Sequence, residues 1–241
     1  MVTGNAVDGI TERIALQIAS GQLKTGDPLP SIRKLAEQYH VSPGKIQQAL
    51  GRLHAAGFVR PRHGVGVIVC DIQLYGGVET WRYLLRFSSK LPDLAIHNVR
   101  EILETLHLFY QAALMKIAND PGAVDAAPAR RAVNQLRLLA ATEPARPADV
   151  HDSVLHILRT IHASLGAGIV QGLLNTLGGT LADAPEILES LYSDPTEHLY
   201  FWDQVVTSIE TGDVELGQRA LDLLQDWHTQ ALDRLRTHLT P

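Results

Sequence analysis

The chain has 241 residues, 45% hydrophobic and 20% charged, enough to bury a core in one large domain or two modest ones. No apolar run approaches the roughly 20 residues of a membrane-spanning helix, no basic-then-apolar export signal is expected at the start, and a single cysteine, Cys70, excludes an intrachain disulfide and a cysteine-rich zinc site; a soluble cytoplasmic protein is expected. The net charge of −5 argues against a surface that wraps nucleic acid throughout, but residues 1–71 carry eight Lys/Arg against five Asp/Glu, a net +3, and the rest of the chain is acidic. That asymmetry fits a small basic unit joined to a larger acidic one, or a fluctuation of surface charge.

Residues 7–20 place Val7, Ile10, Ile14 and Ile18 at helical spacing. A Gly/Pro-bearing break, GQLKTGDPLP, follows. Ser31 can cap the next helix, whose core positions are Ile32, Leu35 and Ala36. After a short connection, Ser42-Pro43 reads as an N-cap followed by proline at the first helical position, where its missing N–H loses nothing. Ile46, Ala49, Leu50 and Leu53 then form one buried stripe, and Gly57 stops the helix. Two β-prone pieces, residues 57–61 and 65–70, flank His63-Gly64 as a tight hairpin. Residues 72–77, with Gly76-Gly77, read as a linker.

From Val78 the chain reads as almost wholly helical, with helices near 78–88, 93–118, 122–140, 148–164, 168–182, 184–192, 196–211 and 213–237. The expected fold is therefore mainly α. A winged helix-turn-helix over 1–71 (three helices plus a β-hairpin wing) precedes an all-helical bundle over 78–241.

Helix, break, helix, turn, helix and hairpin is the outline of a winged helix-turn-helix, whose third helix offers its first residues to the major groove. With the stripe of SPGKIQQALGRLHAAG buried, the opposite face carries Lys45, Gln47, Gln48 and Arg52. Glutamine pairs with adenine and lysine donates to guanine or phosphate. Ser42 stands at a bare helix start that attracts phosphate, and Arg33, early in the preceding helix, is a candidate phosphate contact. Each is equally explained as a solvated surface residue. The G-x-G of RPRHGVGVIV suggests a nucleotide loop, but such a loop leaves a strand and opens a helix. Here a helix precedes it and a β-branched strand follows, so it reads as a wing tip with Arg60, Arg62, His63 and Gly64 facing phosphates or a minor groove.

The stretch LPSIRKLAEQYHVSPGKIQQALGRLHAAGFVRPRHGVGVIV resembles the DNA-binding domain of the GntR family of bacterial transcription regulators, over roughly Ile10 to Cys70. The resemblance implies operator contacts from Arg33, Lys45, Gln47 and His63-Gly64. Pro43 stands where that family usually has a basic residue, Gln47 where it often has arginine, and Ile32 where an acid is usual. A distinct operator and a shallower salt dependence are expected.

The helical part resembles the effector domain of the family's fatty-acid-responsive branch, the FCD type. VREILETL, HDSVLHILRTIHASLGAGIVQGLLNTL and VVTSIETGDVELGQRALDLL carry the likeness. In that type an Asp-x-x-x-His pair and two later histidines hold a divalent metal. Asp152 and His156 match the pair, and their O and N donors suit zinc, nickel or manganese. Asp203 stands where one later histidine belongs, and the last position falls near Leu224 or Gln225. The resemblance also implies an anionic effector, a carboxylate or acyl-CoA-like molecule, at Arg100, His107, Asp152, His156 and Asp203; members lacking the metal bind acyl-CoA-like ligands. Arg100 aligns with a cavity-facing arginine that needs an anionic partner, or it pairs with Glu104 one turn on. His107 and Tyr110 line that pocket or pack; Trp202, Trp227 and Tyr200 read as core or dimer-interface aromatics.

The leading expectation is a homodimeric, ligand-responsive DNA-binding regulator on a palindromic operator, and not an enzyme. The alternatives are a ligand-free regulator whose helices only dimerise, and a helical metal-dependent enzyme fused to a DNA-binding module. No nucleophile–base–orienter motif supports the last.

Overall fold

A computed structural model describes residues 6–120, 124–142 and 144–240. The chain divides into two compact units, Met1–Leu91 and Pro92–Pro241. The described elements are helical apart from one antiparallel hairpin, as the sequence predicts.

In the first unit, α1 (Ala6–Ala19), α2 (Ile32–Tyr39) and α3 (Pro43–Ala55) pack around Ile14, Ile46, Leu53 and Phe58. Ser31 caps α2, its hydroxyl accepting from Lys34 N–H at 3.3 Å. Pro43 opens α3 as expected, but Ser42 makes no side-chain cap. The four stripe residues of α3 are all buried.

The wing is β1 (Val59–Arg62) and β2 (Gly66–Val69), in register Val59 to Val69 and Arg62 to Gly66. Gly64 and Gly66 have φ of 74° and 112°, left-handed values that only glycine adopts without cost. A third segment joins them. Leu29 N–H donates to Val67 O at 2.8 Å, Gly26 N–H to Val69 O at 2.9 Å and Val69 N–H to Asp27 O at 3.0 Å. The stretch read from sequence as a break thus closes the free edge of β2 and holds the wing to the helices.

The unit boundary falls at Leu91, beyond the 72–77 segment that the sequence suggests as a linker. That segment forms a short helix, α4 (Ile72–Tyr75), capped by Asp71, whose carboxylate accepts from Gln73 and Leu74 N–H. It is followed by α5 (Val78–Arg86), which its position after the 72–77 segment places in the expected second domain. Instead α5 completes the first core. Tyr83 meets Phe58 edge-on at 5.7 Å, the Thr80 hydroxyl donates to Ala56 O, and Arg86 pairs with Glu12 of α1. Gly57 permits this approach: a Cβ there would lie 2.9 Å from Tyr75 O.

The second unit comprises α6 (Pro92–Asn119), α7 (Ala127–Ala140), α8 (Pro147–Ser164), α9 (Gly168–Leu181), α10 (Pro185–Tyr192), α11 (Pro195–Thr211) and α12 (Val214–Leu239). α12 packs along α6, α11 and α10, and α8 packs against α7, α9 and α10. The core centres on Val99, Leu136, Ile157, Ile187, Trp202 and Leu235. The helix predicted from 122 begins at Ala127. Asp125 accepts from Ala127 N–H at 3.0 Å and Pro128 fits the first turn; positions 122 and 123 lie outside the described residues.

Candidate functional site

The exposed side of α3 presents Lys45, Gln47 and Gln48, with Ser42 exposed at its start. Arg33 on α2 is nine-tenths exposed, and its 3.2 Å pair with Glu37 is a solvated contact that releases easily. On the wing, Arg62, His63 and Gly64 are exposed at the tip, and Arg60 lies over the Tyr75 ring at 5.7 Å. His54 Nδ1 sits 2.9 Å from Val59 O, fixing β1 to the end of α3. Helix and wing are therefore one preorganised surface.

Arg52 departs from the sequence reading. Its guanidinium pairs with Asp8 of α1, so it ties α3 to α1 rather than standing free beside Lys45. The helical wheel places it opposite the buried stripe, but it cannot show which neighbour faces it there.

In the second unit the structure does not assemble the candidate metal set. The buried face of α8 is formed by Val150, His151, Val154, Leu158, Ile161 and His162. Asp152 and His156 share the opposite, exposed face. Asp203 is held elsewhere, by Arg130 at 2.5 Å and Arg137 at 2.8 Å, and Arg130 also donates to Glu210 and Thr207. Among the described residues no three His, Cys, Asp or Glu are placed to hold a metal ion. These residues do not fit the zinc, nickel or manganese centre that the resemblance implies. Asp203→Ala is expected to destabilise the protein by about 1–2 kcal/mol by stripping two arginines of an acceptor, whereas Asp152→Ala and His156→Ala stay within about 0.5 kcal/mol. Denaturant titration checks this ordering.

Two predicted effector residues do come together. Arg100 and His107 line an open groove of about 660 Å³ between α6 and α12, with Leu103, Gln225, His228 and Leu232. Arg100 is exposed and has no ion-pair partner among the described residues, so the pairing with Glu104 is not formed. His107 Nε2 lies 3.1 Å from Gln111 Nε2. The Gln111 amide nitrogen donates, so in this arrangement His107 Nε2 accepts and the proton sits on Nδ1. That Nδ1 is buried without a partner among the described residues. By contrast, the apolar cavity lined by Trp202, Tyr110 and Leu114 offers only about 30 Å³, room for little more than a water.

Behind the groove lies a ring stack that spacing in the sequence does not reveal. His151 meets Tyr192 at 4.9 Å, Tyr192 stacks on His198 at 4.8 Å, His198 meets Trp227 at 4.6 Å, and Trp227 meets His228 at 5.4 Å. Burial pushes His198 down to about 4 and His228 down to about 3, and lowers His151. His162, on the same face of α8 as His151, is lowered by burial too. These imidazoles are neutral, and His198 Nε2–H donates to Leu191 O at 3.0 Å.

Comparison with known proteins agrees with this geometry. The family model described as bacterial regulatory proteins, gntR family, matches residues 6–69. The HTH-type transcriptional regulator YhcF of Bacillus subtilis is 32% identical over 104 residues, 42% of this chain and 85% of YhcF. The chain belongs to the gntR family of bacterial regulatory proteins. The HTH-type transcriptional regulator Mce2R of Mycobacterium tuberculosis is 38% identical to this GntR chain over 95 residues, 39% of this chain and 38% of Mce2R. The likeness to that relative thus spans well under half its length. The solved structure of Lar, described as controlling the expression of the Listeria monocytogenes agr system, matches with a TM-score of 0.62 at 14% identity. It covers 96% of this chain and 98% of that one, a likeness of fold alone.

Proposed function

We propose that this GntR protein is a DNA-binding transcriptional regulator that acts as a homodimer on a palindromic operator and answers to a small anionic metabolite. The supporting observation is the α2–turn–α3 pair, with Lys45, Gln47 and Gln48 exposed beside a wing anchored to the same core. In such a pair the second helix enters the major groove while phosphate contacts from Arg33, Arg62 and His63 set its register. The test is binding to duplexes selected from a random-sequence pool, with the salt dependence of affinity measured. Because the α3 face has one lysine and two glutamines, the slope is expected to be shallower than for arginine-rich relatives.

The effector reading places a carboxylate or acyl-CoA-like anion in the α6/α12 groove, its charge on Arg100 and its body over Leu103 and Leu232. This is consistent with an FCD-type helical unit working without the metal. A tenfold change in DNA affinity needs a preference of about 1.4 kcal/mol for one arrangement of the protein. A short-chain acyl-CoA is expected to raise the melting temperature of the parent, and Arg100→Ala to abolish the rise. No shift with any member of an organic-acid and acyl-CoA panel leaves the ligand-free regulator.

A further inference from the structure

The turn between α2 and α3 is made by His40, at φ 53° and ψ 46°, the one non-glycine residue with positive φ among the described residues. A side chain with a Cβ is disfavoured there and glycine is not. The turn itself does not require an imidazole. Its hydrogen bonds, His40 N–H to Glu37 O at 3.3 Å and Val41 N–H to Ala36 O at 3.0 Å, are made by the main chain, and glycine would make both. The ring is exposed, and its nitrogens have no partner among the described residues.

The surroundings of the ring point to a ligand. His40 lines one concave surface with Arg33 and Glu37 from α2 and with Ser42 and Lys45 from the start of α3, open over about 590 Å³. Glu37 is the single carboxylate there, and Arg33 already offsets it. A guanidinium, an ammonium, a hydroxyl and an imidazole thus line one shallow, solvent-facing surface beside the helix proposed to read bases. The group that accepts from all four is a phosphodiester.

We infer that His40 is a DNA-backbone contact, donating an imidazole N–H to a phosphate held between Arg33 and Lys45. The inference rests on the DNA-binding reading above and adds a residue to it. A phosphate contact carries no base information, so its loss weakens all duplexes alike.

The test is His40→Gly in the full chain, with thermal unfolding and duplex binding measured on the same preparation. Its melting temperature equals or exceeds the parent's, because the left-handed turn is relieved. Its affinity falls about 3- to 10-fold, the worth of one hydrogen bond, on a mixed-sequence duplex and on a selected duplex equally. His40→Asn, which also accepts the left-handed backbone and keeps a donor, retains more affinity than His40→Gly. Parental affinity in His40→Gly overturns the inference, and so does an affinity loss accompanied by a loss of thermal stability. A parent that binds no duplex removes the DNA-binding reading itself, an outcome distinct from either.

Discussion

Lowering the pH from 7.5 to 5.5 is expected to destabilise the helical unit, by about 3 kcal/mol from His198 and His228 together. His151, His162, His198 and His228 all have lowered folded-state pKa values, with burial the leading cause in each. The unfolded chain therefore binds more protons than the native one below about pH 6.5, and stability falls as pH falls through that value. For His198 the loss continues to about pH 4 and for His228 to about pH 3, where the folded groups themselves accept protons. Each neutral histidine contributes about 1.4 kcal/mol per pH unit inside its window. Between pH 6.5 and 5.5 His198 and His228 together remove about 3 kcal/mol, with His151 and His162 adding in the same direction, out of the roughly 5–15 kcal/mol that holds a typical domain folded. Trp202 and Trp227 lie in this unit, and their fluorescence in denaturant titrations at pH 7.5, 6.5 and 5.5 reports it. Equal midpoints at 7.5 and 5.5 would contradict the burial of neutral rings. His198→Gln, which keeps a donor for Leu191 O but cannot titrate, should flatten the pH dependence by one proton's slope.

The second large effect concerns α3. A Lys45→Ala, Gln47→Ala double variant is expected to lose more than about 30-fold in affinity for a selected duplex, since each base-edge or phosphate contact at a recognition helix is worth about 1–3 kcal/mol. Both side chains are exposed, so the fold and the oligomeric state are expected to survive. Arg52→Ala provides the contrast. Its guanidinium is engaged by Asp8, so that variant is expected to lose thermal stability more than duplex affinity. A double variant that binds the selected duplex like the parent removes α3 from the interface.

Local signals carried much of this protein. Ser31 before IRKLAEQY, Pro43 at the head of α3, the Ile46–Ala49–Leu50–Leu53 stripe and the glycines of the wing each have a mechanism confined to a few neighbouring residues. They gave the winged helix-turn-helix and most helix bounds directly. An amphipathic stripe does not name its partner, however. Val78–Arg86 was legible as a helix, yet only Phe58, Ala56 and Glu12 decided which core it joins.

The candidate sites divide along the same line. Spacing alone put Asp152 and His156 on one face of α8, but whether that face is inside was decided by Tyr192 and the neighbouring helices, which took His151 instead. Asp203 was visible as a residue; its capture by Arg130 and Arg137, more than sixty positions earlier, was not. Arg100 and His107, two turns apart on α6, were legible as candidates for one pocket or as packing residues, while the His228 that lines their groove comes from α12. By itself the sequence determined which segments are helical, where they start, and which polar side chains a recognition helix offers. Tertiary structure alone decided which of those side chains stay free and which are consumed by partners far along the chain. Local backbone preferences act over a few residues, whereas burial and pairing depend on whichever distant element packing brings alongside.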